Sequence, residues 1–364
     1  MNIAVVVRSL APYTVSFFDC IAELAATDST VTVISGKSGS EWINPWEGDL
    51  LKVQKARFVL SPFRKGRMGR ETVFPTSDLW RKLSELKPTH VLLQEYSPYT
   101  VLAVLWAKMH RKMVFVATDI GPDYGPWYPP LSGTQLLVHR IVDFLVDGIV
   151  ALTVSGQKKA AARKRRCLLV PHAIDSRTYV PSGSCQKDKQ GVRILHVGNL
   201  IERKGVDLLI QAFAEAESIC PALELRILGS GDSTPYKSLA EKCGVLEKVT
   251  FMDFMDRGAL IKQYQEADIF CLATRSDTYA VAVHEAAACG LPLVISLHAG
   301  AAEVLVKNGL NGYIVDPENT RSVSDAILKI AQNSGLRRQF SLESRRIAEQ
   351  WDTLANAKRF LDWL

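Results

Sequence analysis

Short apolar runs alternate with amphipathic helical periods along most of the chain, the pattern of repeated βαβ units. In the first half, Ile3–Val7, Val31–Ile34, Val91–Leu93, Val114–Ala117, Gly148–Leu152 and Cys167–Val170 read as strands. The helical period from Val15 to Ala26, following Pro12, falls between the first two of them, where a crossover belongs. A polar, turn-rich stretch at 181–191 then interrupts the pattern and reads as an interdomain linker. Beyond it the alternation restarts, with strands expected at Ile194–Val197, Glu224–Leu228, Val249–Met252, Ile269–Leu272, Leu293–Ser296 and Gly312–Val315. The two runs predict an α/β protein of two doubly wound parallel-sheet domains facing a cleft, one over residues 1–180 and one over 192–344. Ligands collect at the carboxyl ends of the strands in such folds.

A chain of 364 residues is too long for one typical core, which agrees with two domains. No apolar run reaches the roughly 18 residues of a membrane span, and Met1–Val7 meets Arg8 too soon for a signal peptide, so a cytoplasmic location is expected. The seven cysteines form no Cys-x-x-Cys pair and read as reduced thiols, neither disulfides nor metal ligands. Charge changes the picture more. Residues 1–180 hold 23 Lys and Arg against 15 Asp and Glu, an excess of +8, whereas the remainder carries −2. Two clusters stand out, Arg64-Lys65-Gly66-Arg67-Met68-Gly69-Arg70 and Arg163-Lys164-Arg165-Arg166. Neither is interleaved with aromatics as a single-stranded nucleic-acid platform would be, and no nucleic-acid partner is expected. Two readings remain, a solvated face and attraction to an anionic lipid or phosphorylated acceptor, where each basic residue contributes about 1 kcal/mol.

Candidate chemistry gathers in the second half. Asp277 and Glu285 stand eight positions apart, the first in a loop after an apolar strand, the second in the first turns of a helix that Gly290 and Pro292 end. A loop carboxylate can accept hydrogen bonds from sugar hydroxyls, and one on the helix can take the vicinal hydroxyls of a ribose. The bland alternative is a surface acid followed by a helix N-terminal acid favoured by the macrodipole. Upstream, His196-Val197-Gly198-Asn199 leads to Arg203-Lys204-Gly205 and an amphipathic helix, a plausible diphosphate cradle where cations and helix amides converge. Gly229 and Gly231 supply only Gly-x-Gly, which serves a tight turn as readily as a phosphate, and neither opening strand is followed by a full dinucleotide fingerprint. In the first half, Asp119 and Asp123 share a loop with Tyr124, Trp127 and Tyr128, combining acids and aromatics as sugar sites do. A Pro/Gly-structured loop with buried aromatics is the alternative there. His172 follows the last strand of the first domain and is a candidate cleft residue, while His284 reads as packing beside Glu285. The histidines are scattered and no Asp-x-Asp follows a strand, so no metal site is expected.

From about Ile194 to Ala331 these pieces run in an order that resembles the nucleotide-binding domain of the retaining glycosyltransferases of family 4, which have two Rossmann-like domains in the GT-B arrangement. The matching pieces are Val197-Gly198 through Arg203-Lys204-Gly205, Leu228-Gly229-Ser230-Gly231, the strand before Asp277, the acidic pair, Glu285 through Gly290-Leu291-Pro292, and Gly309-Leu310-Asn311-Gly312. Leu10-Ala11-Pro12-Tyr13 resembles the Pro-Tyr loop of one branch of that family. The resemblance implies that Asp277 contacts the transferred sugar, Glu285 holds the ribose, and Arg203 and Lys204 neutralise the departing diphosphate. Gly198, Asn199, Gly229, Gly231, Thr278, Tyr279 and Ala280 would line the donor. It implies a UDP- or GDP-sugar as substrate with no cofactor and no metal, and a retained anomeric configuration with a phosphate oxygen as base. The acceptor would lie on the first domain, with Pro12, Tyr13, Asp119, Asp123 and His172 as candidates, and a terminal helix, about 345–364, would pack back on that domain. Departures from the family pattern at Asn199, Asp277 and Ala280, where arginine, glutamate and glycine are common, imply an altered donor preference, with lost activity as the alternative.

The implied function is hexosyl transfer to a saccharide or lipid-linked saccharide in envelope polysaccharide or lipopolysaccharide biosynthesis, by a cytoplasmic enzyme peripheral to the inner face of the cell membrane. A non-catalytic sugar-nucleotide-binding subunit and a transferase acting on a soluble small-molecule acceptor are the alternatives. Glu285→Ala is expected to weaken nucleotide binding and turnover together and to leave the fold intact.

Overall fold

The computed structural model describes residues 1–7, 10–35, 55–61, 64–66, 72–74, 76–118, 131–182 and 191–364. Asp119, Asp123, Arg67, Arg70 and most of the 181–191 stretch lie outside them. Valine and isoleucine fill the first strands because a side chain branched at Cβ is already stiff and packs well on a pleated surface. β1 (Asn2–Val7), β2 (Thr30–Ser35) and β3 (Arg57–Leu60) line up beside β6 (His90–Gln94), β7 (Met113–Thr118), β8 (Gly148–Ala151) and β9 (Cys167–Leu169). Together they make a seven-stranded sheet in the order β3-β2-β1-β6-β7-β8-β9. Every pairing in it is parallel, with Ile3 opposite Val31 and Val5 opposite Leu92. β4 (Arg64–Gly66) and β5 (Thr72–Phe74) form a separate antiparallel pair.

Both faces of this sheet are covered. Ile3, Val5 and Val7 point into one core with Phe18 and Ile21, and Ala4 and Val6 into another with Tyr99 and Trp106. The first of these cores is completed by Ala357 and Phe360 from the helix Thr353–Trp363, which packs along the helix Pro12–Leu24. Trp363 occupies the space that a side chain at Gly148 would need, and the Arg166 guanidinium lies 4.4 Å over its ring.

The second sheet repeats the plan. β10 (Val192–Val197), β11 (Leu223–Leu228), β12 (Val249–Met252), β13 (Ile269–Leu272), β14 (Leu293–Ser296) and β15 (Gly312–Val315) are all parallel, in the order β12-β11-β10-β13-β14-β15. Helices Val206–Glu217 and Thr320–Ala331 pack together over one face, burying Leu209, Phe213, Ile327 and Ile330.

The chain therefore forms two doubly wound parallel-sheet units, the predicted fold class. The described residues of Met1–Gly121, Pro129–Ala173 and Thr353–Leu364 make the first unit, and those of Ile174–Asp352 the second. β3 and the β4-β5 pair are additions to the sequence reading: each is only three or four residues long, too short to give a period. The six described cysteines carry free thiols. No helix among the described residues is long and apolar enough to cross a membrane.

Candidate active site

In each sheet the strand order reverses beside the first strand, between β1 and β6 and between β10 and β13. The crevice outside the carboxyl ends of the strands at such a point is where doubly wound folds bind ligands. In the second unit the segments leaving β10 and β13 carry the sequence-predicted residues, and the backbone ties the two together. The Arg203 carbonyl accepts from Thr274 Oγ1 at 2.9 Å and from the Arg275 N–H at 3.0 Å. The Arg275 guanidinium grips both oxygens of Asp207, at 2.7 and 2.6 Å, a bidentate fork that fixes orientation as well as distance. Gly205 (φ 64°) lets the first segment press on the second, because a side chain there would strike the Ala273 carbonyl oxygen.

This stitching joins residues 73 positions apart into one polar cluster. Lys204 Nζ donates to Asp277 Oδ2, and Arg203 Nη1 donates to the Ser276 carbonyl at 2.5 Å. Asp277 is buried, and its main chain is held by the His298 carbonyl and the Gly300 N–H, each at 3.1 Å. Asn199 is exposed, Thr278 half-buried and Tyr279 buried. Gly229 has a packing reason for its identity: a side chain would fall on the Gly198 carbonyl oxygen. Gly231 (φ 135°) lies against Leu200.

Ala280 begins the helix Val281–Ala288 in the left-handed region, φ 71° and ψ 72°. A Cβ makes that conformation costly by about 1–2 kcal/mol, and glycine avoids the cost. Ala280→Gly is therefore expected to stabilise the protein by about 0.5–1 kcal/mol, after allowing for the methyl's lost burial. A urea midpoint that falls would refute the strain.

Glu285 has partners that the sequence does not announce. Oε1 accepts from the Tyr179 hydroxyl at 2.8 Å and Oε2 from the Tyr264 hydroxyl at 2.7 Å. Burial holds the carboxyl above its usual range, against the pull of those two hydrogen bonds. The carboxylate is thus the acceptor for two tyrosine hydroxyls as well as a ribose candidate, and the expectation that its removal leaves the fold intact took no account of these partners. His284 is fully buried, and its Nε2 donates to the Ala348 carbonyl at 3.1 Å.

His196 is a residue the sequence reading passed over. Its Nδ1–H donates to the Cys271 carbonyl at 3.2 Å, which leaves Nε2 as an acceptor. Nε2 is buried, finds no hydrogen-bond partner among the described residues, and lies 3.3 Å from where a Cβ on Gly198 would sit. Burial, helped by the Lys204 charge, pushes the imidazole down to about 4. The unfolded chain then binds the proton first as pH falls below 6.5, so stability rises with pH between about 4 and 6.5. Going from pH 7 to pH 5 should cost about 2 kcal/mol through this residue. In His196→Gln that part of the loss should vanish; equal losses in both proteins would remove His196 as the cause.

In the first unit, a largely apolar recess opens at the β1-β6 switch point, lined by Val5, Tyr13, Phe17, Leu92, Gln94 and His172 among others. The Tyr13 and His172 rings meet edge to face at 5.0 Å, and burial pushes the His172 imidazole down to about 4. Tyr13 and His172, both sequence candidates, are thus brought together; Pro12 opens the helix Pro12–Leu24 beside them. Asp119 and Asp123 lie outside the described residues.

Residues 183–347 match the family model described as Glycosyl transferases group 1. Among curated proteins, the chain is 31% identical over 166 residues to an uncharacterized glycosyltransferase of Methanocaldococcus jannaschii, covering 44% of this chain and 42% of that protein. It is 28% identical over 193 residues to the D-inositol 3-phosphate glycosyltransferase of Actinosynnema mirum, covering 49% and 46%. The chain thus spans about half the length of the curated relatives it matches. Among solved structures, Anabaena Alr3699/HepE in complex with UDP superposes with a TM-score of 0.79 over 100% of this chain and 99% of that one, at 16% identity, which speaks for the fold. The matched segment holds both the 198–205 and the 274–291 stretches, so the likeness to the group 1 glycosyl transferases falls on the residues that carry the candidate site.

Proposed function

We propose that the protein is a retaining glycosyltransferase of family 4 that moves a hexose from a UDP- or GDP-sugar to a saccharide or lipid-linked saccharide acceptor, in envelope polysaccharide or lipopolysaccharide biosynthesis. The observation that carries the reading is the pairing of Lys204 with Asp277 at the switch point of the second sheet. It sets a cation and a sugar-accepting carboxylate side by side, next to the start of the helix Val206–Glu217, whose N-terminal amides favour an anion. The main chemical need in loss of a nucleoside diphosphate from C1 is stabilisation of the leaving charge, and fixed cations in a low-dielectric site supply several kcal/mol of it. Lys204 moves from Asp277 to the diphosphate, Arg203 adds the second charge, and Asp277 is released to accept from a sugar hydroxyl. Glu285 keeps one acceptor lone pair on each oxygen beyond those the two tyrosines use, enough for a ribose. The named complex of the Anabaena neighbour with UDP supports the donor class. Metal plays no part in this scheme.

The apolar recess with Tyr13 and His172 favours a second acceptor class, a soluble small molecule with an apolar aglycone. The basic excess of residues 1–180 supports a cytoplasmic enzyme peripheral to an anionic membrane face. The test of the activity is release of UDP or GDP from a panel of nucleotide sugars, with acceptor extracts and with excess EDTA. Sugar-dependent release that survives EDTA is expected. Nucleotide-sugar binding without release would leave a binding subunit, and rescue by magnesium or manganese would replace the cationic scheme with a metal one.

A further inference from the structure

The helix Gly133–Leu145 of the first unit presents an apolar face to solvent. Leu136, Leu137, Ile141 and Phe144 fall on one side at helical spacing, while Val142 and Asp143 turn into the unit. Leu137 is 57% exposed and Phe144 80%, far beyond what a helix packed on a sheet leaves open. The end of the neighbouring helix, Pro98–Met109, adds Met109 at 71% exposure. The two helix ends are tied together, since Lys108 Nζ donates to both oxygens of Asp147 at 2.8 Å.

The chain beside this face is basic: Arg140, on the helix itself, is exposed, and so are Arg111, two residues beyond Met109, and Lys164, next to the Arg163 that pairs with Asp143 of the helix. The two acids of the helix and its C-terminal end are paired, Asp147 with Lys108 and Asp143 with Arg163 at 2.6 Å. Of the Arg163–Arg166 cluster, Arg165 donates to the Val146 carbonyl and Arg166 to the Trp363 carbonyl, so these side chains also brace the unit. Apolar side chains flanked by cations are the composition of a helix that lies in the interface of an anionic bilayer. A second copy of the chain is a poorer match, because a two-fold contact through this face would set these basic residues against their own copies.

We propose that the Gly133–Leu145 face docks on an anionic lipid bilayer, with Leu137 and Phe144 inserted among the acyl chains and Arg140 and its basic neighbours on the headgroups. The proposal rests on the peripheral-membrane reading above and deepens it: attraction by charge alone disappears in salt, whereas inserted side chains keep a residue of binding that salt does not remove.

Flotation of the full chain with vesicles of phosphatidylcholine, with and without phosphatidylglycerol, tests both levels at about 0.1 M and about 1 M salt, where the screening length is about 10 Å and about 3 Å. Binding to the anionic vesicles is expected, with a measurable fraction persisting at high salt. Leu137→Ser and Phe144→Ser should each lower the partition coefficient by about tenfold at both salt levels, and Arg140→Ser should lower it only at low salt. Circular dichroism and the melting temperature check that these exposed substitutions leave the fold in place. No binding at low salt overturns both the peripheral reading and the docking face. Binding that is unchanged in Leu137→Ser and Phe144→Ser overturns the face alone, and so does sedimentation showing a dimer that these substitutions dissociate. UDP affinity, which belongs to the second unit, is expected to stay the same in all three variants.

Discussion

Lys204→Ala should lower kcat/KM for the nucleotide sugar by on the order of 100-fold to 1000-fold, the size seen when a charge-stabilising group is removed from a closed site. Affinity for the nucleoside diphosphate should fall with it. Asp277→Asn should behave differently, although it breaks the same ion pair. It removes the competitor that holds Lys204, so binding of the diphosphate should be unchanged or tighter while turnover collapses for want of the sugar-accepting carboxylate. Stability is a weaker readout, because breaking a fully buried pair costs about 3–5 kcal/mol and this one is only largely buried. Calorimetric titration with UDP and GDP decides the matter: an Asp277→Asn protein that binds as poorly as Lys204→Ala would show that the pair acts as a unit on the nucleotide and that the carboxylate has no separate task.

Glu285→Ala should be the most destabilising of the site substitutions, at about 3–5 kcal/mol. It leaves the hydroxyls of Tyr179 and Tyr264 without their acceptor, and Tyr264 is fully buried. An orphaned buried hydroxyl costs about 1–3 kcal/mol, and two are created at once. Adding Tyr179→Phe and Tyr264→Phe to Glu285→Ala should recover most of the loss, since no polar group is then stranded. Glu285→Gln should keep most of the stability and still bind nucleotide more weakly. If the triple variant is no more stable than Glu285→Ala, the tyrosine contacts are not what the carboxylate contributes to the fold.

Most of the sheet architecture was legible because each strand is an apolar run bounded by turn residues. β12, β13, β14 and β15 fall on the residues expected, and β1, β2, β6, β7, β10 and β11 are longer by one or two residues at their ends, where polar residues such as Asn2, Thr30 and His90 pair in the ladder. The site was legible only as a set of neighbours in sequence. Nothing in a linear pattern places Tyr179 and Tyr264 on Glu285, or Lys204 on Asp277, because such contacts are made by the fold and not by local propensity. The left-handed Ala280 was equally hidden, since alanine carries no signal for positive φ. His196 looked like one residue of an apolar strand, and only its unmatched Nε2 beneath Gly198 distinguishes it.

The first unit is assembled from three pieces of chain, and its third piece, Thr353–Leu364, is synthesised after the whole of the second unit. Domains usually fold in the order in which they leave the ribosome. Here that order is inverted in part: the core around Phe18 and Ile21 lacks Ala357 and Phe360, and the slot at Gly148 lacks Trp363, until the second unit has been made. The helix Pro12–Leu24 gains its packing partner Thr353–Trp363 only from the last piece of chain, so the second unit can be complete before the first one closes.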